Sequence, residues 1–178
     1  MPIWPNYAAG QKLTADLLAA GQLMVVYKTS NTDRSSTTTL TDDPDLKFTL
    51  TAGAVYWVEW FLHYAGPASG ISDGTISVQW TVPSGATGQR GVRGPGTGAN
   101  NASMDNISMT AGVWNFNQTV QYGPRINSNT FQSVAREEAL VTVGATGGTC
   151  AIKWAQAVSS TAANRMAAGS WGRALRLT

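Results

Sequence analysis

Along most of this chain hydrophobic and polar residues alternate with a period of two. In Leu46-Lys47-Phe48-Thr49-Leu50-Thr51 the apolar residues take one side and the polar ones the other, the pattern of a half-buried strand. Thr75-Ile-Ser-Val-Gln-Trp-Thr-Val82 repeats it more cleanly, with Ile76, Val78, Trp80 and Val82 inward and Pro83 ending the run. The eleven residues Ala54–Tyr64 differ, being apolar on both faces. Tyr56, Val58, Trp60 and Leu62 share one side; Val55, Trp57 and Phe61 share the other with Glu59 and His63. A strand of that kind sits mid-sheet, its second face against another layer or another subunit.

The same reading gives strands at 22–29, 37–41, 112–122, 139–143, 150–158 and 170–177, with turns at Asp42-Asp43-Pro44-Asp45, Ala52-Gly53 and Gly123-Pro124. In 112–122, Trp114, Phe116, Val120 and Tyr122 fall on one face and asparagines on the other. In the last run, Trp171, Leu175 and Leu177 share a face with Arg173. The total is eight or nine strands, with neither βαβ alternation nor a long repeat. The expected fold is all-β, an antiparallel β-sandwich of jelly-roll type forming residues 22–178.

Residues 1–21 stand apart. Pro2 and Pro5 flank Trp4 and precede Tyr7, an irregular arm with little to bury by itself. Thr14 then caps a helix of about two turns, Asp16 meets its dipole in the first turn and Gly21 stops it. So short a helix is stable only when docked. The segment therefore reads as an attachment element presenting Trp4, Tyr7, Leu13, Leu17 and Leu18.

Gly85 to Gly98 poses a separate question: glycine stands at 85, 88, 91 and 94, then at 96 and 98. Collagen needs a much longer period and more proline. A phosphate-binding loop needs a helix after the strand, and no helical pattern follows. What remains is a long loop over residues 83–106 carrying Arg90 and Arg93. It is either solvated or an arm that orders on a neighbouring subunit, its arginines gripping carboxylates.

Composition narrows the function. Only 12% of residues are charged and the net charge is +2, so the surface is largely Ser, Thr, Asn, Gln and Gly. No dense basic face is available for nucleic acid. The single cysteine excludes a disulfide framework within the chain. The longest apolar run falls far short of a membrane span, and the N-terminus lacks a secretory pattern, so synthesis in the cytoplasm is expected.

Candidate chemistry is sparse, and no cofactor is expected. His63 is the only histidine, and it sits among aromatics as a core or interface residue; Cys150 opens an apolar strand as a buried thiol. The acidic residues at 42–45 are a polar turn or a calcium site. Glu59, if buried, needs a partner such as Lys153 or an arginine. Glu59 with Glu137 or Glu138 is the carboxylate pair a glycosidase would require, if the fold joined them. Seven tryptophans fill a core, subunit contacts or sugar-stacking surfaces.

Three stretches carry a family resemblance: IWPNYAAGQKLTADLLAA at the start, YKTSNTDRSSTTTLTDDPDLKFTLTAGAVYWVEWFLHYAG, and IKWAQAVSSTAANRMAAGSWGRALRL at the end. They resemble small virion proteins of actinobacterial tailed phages, in the Leu-Thr-Ala that opens the helix, the Ala-Gly turn before the aromatic strand, and the final hairpin. The glycine segment has no counterpart. The resemblance implies a non-enzymatic virion protein, a capsid decoration, minor capsid, tail or fibre component, commonly a homotrimer. Its partners would be its own copies and the major capsid or tail protein, with host cell-surface glycan as the alternative and neither nucleic acid nor membrane involved. Subunit or partner contacts are then expected from Trp57, Phe61, His63, Arg90 and Arg93.

Overall fold

The computed structural model describes residues 8–15, 18, 21–67, 74–97, 108–125 and 130–178. Those residues form twelve strands: β1 (Met24–Tyr27), β2 (Thr32–Arg34), β3 (Thr41–Leu50), β4 (Val55–Ala65), β5 (Ile76–Thr81), β6 (Gln89–Pro95), β7 (Met109–Asn115), β8 (Val120–Tyr122), β9 (Ser133–Thr142), β10 (Gly148–Gln156), β11 (Asn164–Met166) and β12 (Trp171–Arg176). All pairings are antiparallel. The larger sheet runs β1-β12-β4-β9-β6-β7, with β11 joining β4 to β2; the smaller runs β3-β10-β5-β8.

The two sheets bury their apolar faces against each other. Leu46, Phe48 and Leu50 of β3 meet Tyr56, Val58, Trp60 and Leu62 of β4, as the period-two pattern required. Phe48 stacks on Trp60 at 4.9 Å, Trp60 meets Trp80 edge-on at 6.0 Å, and Trp80 stacks on Phe116 at 5.6 Å, an aromatic seam between layers. Each such pair adds about 0.5–1.5 kcal/mol beyond the area it buries. Room for Trp60 comes from β12, where Gly172 lies opposite it in register; a Cβ there would meet the indole at 2.2 Å. Trp171 and Arg173 therefore face away from the core, while Gly172 and Ala174 face into it.

The glycine segment is not a loop throughout. Gln89–Pro95 forms β6, in continuous register with β7 and flanked on its other side by β9. The sequence hid this strand because its inward positions are Arg90, Val92 and Gly94, only one of them hydrophobic. Gly94 is required because β6 crosses the ring of Tyr122; an added Cβ would lie 2.7 Å from it. Residues 98–106 of the expected loop lie outside the described residues.

Two further expectations change. The acidic run 42–45 is part of β3, not a turn between strands. Between Lys47↔Ala151 and Asp42↔Lys153 the register shifts, and the extra β3 residues bulge. The Asp43 carboxylate shapes that bulge by accepting the N–H groups of Asp45 at 3.0 Å and Leu46 at 3.3 Å. The run 112–122 is two strands in different sheets, since the chain leaves the large sheet after Asn115 and enters the small one at Val120.

Of the N-terminal segment, Trp4, Tyr7 and Leu17 lie outside the described residues. Leu18 donates its N–H to Thr14 O at 3.0 Å, and both Leu13 and Leu18 are exposed.

Candidate interaction face and buried ion pairs

Pleating sends alternate residues of the large sheet outward, and register fixes which of them share that outer face. On β4 they are Trp57, Glu59, Phe61 and His63. Trp171 lies opposite Phe61, Arg173 opposite Glu59 and Leu175 opposite Trp57. On the other flank Leu140 lies opposite Trp57, Glu138 opposite Glu59 and Val134 opposite His63. Val25 and Tyr27 of β1 extend the face beyond Arg173 and Trp171. Tyr27 is 66% exposed, Val25 58% and Leu140 55%, so no part of the described chain covers them. The aromatic groups are ordered on one another: Phe61 stacks on Trp171 at 5.5 Å and meets His63 at 5.2 Å.

Glu59 sits in the middle of this face with only 3% of its side chain exposed, held by Arg136 at 2.5 Å and Arg173 at 2.6 Å. Arg173 also covers the Trp57 ring at 4.7 Å. The partners of Glu59 are thus arginines of neighbouring strands; Lys153 belongs to β10 in the other sheet. Beyond Arg136 the face sinks into a depression of about 270 Å³ floored by Gly91 and Gly112 and rimmed by Arg93, Arg136 and Glu138.

Of the expected contact residues, Trp57, Phe61, His63 and Arg93 lie on this face and Arg90 does not. Arg90 is fully buried between the sheets, paired with Glu137, whose side chain is equally buried. Its other terminal nitrogen donates to Val78 O at 3.1 Å and to Gln118 O. Glu137 also accepts the Tyr122 hydroxyl at 2.8 Å and the Trp80 indole N–H. The cluster ties β6 and β9 of one sheet to β5 and β8 of the other. Nothing in the sequence paired Arg90 with Glu137; the one available hint was Glu137's place at an inward position in an alternating strand.

The same geometry separates the carboxylates that a glycosidase would need. Glu137 points into the core and Glu59 outward, so the pleat sets them on opposite faces. Glu138 does share the outer face with Glu59, but Glu59 is engaged by two guanidinium groups.

The acidic run holds a lysine. The buried Lys28 ammonium spends its three donors on Asp43 at 2.8 Å, Asp45 at 2.7 Å and Thr32 at 2.9 Å. Trp154 Nε1 donates to the second Asp43 oxygen at 3.0 Å. Among the described residues no group of three or more metal-ligating side chains occurs. Burial pushes the Cys150 thiol well above its ordinary pKa, which makes it a poor nucleophile.

No family model matches the sequence, and no curated protein matches it. Among solved structures the chain is similar to that of the infectious bursal disease virus Gt strain, at 8% identity and a TM-score of 0.22, covering 88% of this chain and 40% of that one. The VP2 subviral particle of infectious bursal disease virus gives 6% identity and 0.22, covering 88% and 41%. The chain spans well under half the length of those proteins, and likeness at that level carries no argument about function.

Proposed function

We propose that this chain is a non-enzymatic structural protein of a virion, a capsid-surface decoration or minor capsid component, working by fit against other protein surfaces. The observation that carries the reading is the uncovered outer face of the large sheet. A contiguous aromatic and aliphatic surface on a chain with few charges marks a contact site. In this reading the face around Trp57, Phe61 and Trp171 packs against further copies, as a homotrimer, and residues 1–21 attach the assembly to the major capsid or tail protein.

Strand order supports the architectural part of the proposal. With β6, β7, β2 and β11 set aside as additions, β1-β12-β4-β9 faces β3-β10-β5-β8. Numbered in chain order as eight strands, these sheets read 1-8-3-6 and 2-7-4-5, an order that supports the jelly-roll reading. That architecture serves viral capsid and lectin domains alike, so it fits the proposal without selecting it. The virion assignment itself leans on the sequence resemblance.

The test is a deletion of residues 1–21. The account expects a folded body, with unchanged β circular dichroism, that no longer co-purifies with particles; a truncated protein that still co-purifies overturns the attachment role. A second reading, recognition of host cell-surface glycan, is favoured by the partly exposed Trp57 and Trp171 beside Arg173, since aromatic rings bordered by polar groups suit sugars. Saturable glycan binding by the isolated protein, lost in Trp57→Ala, would select that reading.

A further inference from the structure

An unpaired edge strand offers a row of free N–H and C=O groups to any other strand, and proteins blunt such edges with charge, proline, bulges or shortness. Four of the five edge strands described here are blunted. β3 carries Asp42, Asp43, Pro44, Asp45 and Lys47 and is bulged. β8 has three residues. β2 has three, among them Asp33 and Arg34. β1 has four.

β7 has none of these devices. Its seven residues, Met-Thr-Ala-Gly-Val-Trp-Asn, include no charge and no proline. One side pairs with β6 without a register break from Met109 to Asn115. On its other side no strand pairs with it among the described residues. Met109 is 62% exposed and Val113 65%. The inner face is secured instead by Trp114, whose ring lies over Gly112 where a Cβ would meet it at 2.8 Å. The edge is thus held in place by the core and left open outward.

We infer that β7 is a pairing edge for a second copy of this chain, joined antiparallel, β7 to β7, about a twofold axis near Gly112. The segment complements itself in that arrangement. Ala111 meets the partner's Val113 on the outer face, Thr110 meets the partner's Trp114 on the inner face, and no like charges stand opposite each other. A net charge of +2 leaves little long-range repulsion between copies. An isologous contact also closes on itself, so an open edge used this way does not propagate into a filament. The inference goes beyond the outer-face reading: a β7 contact joins copies that the outer face does not.

The experiment measures the mass of the full chain by light scattering at high micromolar concentration, for the wild type and for Val113→Lys. The lysine replaces an exposed side chain, and a thermal melt checks that the fold is kept. The expected result is a twofold lower mass for Val113→Lys. As a second measurement, the Ala111→Cys/Val113→Cys variant under mild oxidation should form a covalent dimer, with the buried Cys150 unable to compete. Equal masses for the wild type and folded Val113→Lys overturn the inference, including a trimeric mass in both, which would leave self-association to the outer face alone. A double variant that yields no covalent dimer also overturns it, and would leave the edge to a strand from a different protein.

Discussion

Arg90 and Glu137 form an ion pair with no solvent exposure on either side chain, sealed between two sheets that the pair itself links. Removing one partner from such a pair costs about 3–5 kcal/mol, because the remaining charge stays buried and uncompensated. Arg90→Met is therefore expected to lower unfolding stability in urea by that amount. Arg93→Met, three residues along the same strand but exposed, should stay within about 0.5 kcal/mol of the wild type. Equal effects would mean that Arg90 is not the residue holding β6 in the sheet.

Gly172 gives way to Trp60, and the slot admits no methyl group. Gly172→Ala should destabilise by at least the roughly 1–3 kcal/mol typical of overpacked cores, since the obstructing atoms belong to a buried indole in the aromatic seam. Pairing it with Trp60→Phe should recover part of the loss. Chemical denaturation of the single and double variants measures both effects, and additive losses would contradict direct contact.

These two sites show what the sequence made legible and what it concealed. The cores of β4, β5 and residues 46–50 of β3 were readable because large apolar residues fill their inward positions. β12 gave its alternation but not its inward face, because a tryptophan from the neighbouring strand fills the volume above Gly172 and Ala174. β6 was missed altogether: its inward positions hold an arginine neutralised by a residue 47 positions away and a glycine lying under Tyr122. The break in 112–122 was hidden for a similar reason, since Trp114, Phe116, Val120 and Tyr122 face one core from two sheets. The outer face was legible as a two-faced strand at 54–64; its extension onto β12, β9 and β1 depended on register, which hydrophobic periodicity does not supply.

Lys28 fills the place that the acidic run 42–45 would offer a calcium ion, using all three donors of its ammonium group. Calcium is accordingly expected to leave the wild-type melting temperature unchanged, and chelators to have no effect. Lys28→Met should cost about 3–5 kcal/mol, because Asp43 is then buried without its cation. A calcium-dependent rise in the wild-type melting temperature would contradict this assignment.

Burial raises the pKa values of the Tyr64 and Tyr122 phenols above the ordinary tyrosine range, and for Tyr122 the adjacent Glu137 carboxylate adds to the effect. A folded-state pKa above the unfolded value of about 10 means that this stability is complete below that pH and is lost as pH rises beyond it. Both phenols should stay un-ionised in the native protein and deprotonate only as it unfolds. Phenolate absorbance followed together with circular dichroism checks this: two phenols should appear with the loss of β signal. Their gradual appearance in folded protein would contradict the buried placement.

The account centres on the outer face of the large sheet, and its most direct test is whether that face makes the contact. The masses of the purified wild type and of the Phe61→Ser/Trp171→Ser variant would be measured by sedimentation equilibrium. The account predicts that the variant, still folded by thermal melt, has a mass about threefold lower than the wild type, because the face no longer joins three copies. Equal masses for the wild type and a folded variant would contradict it.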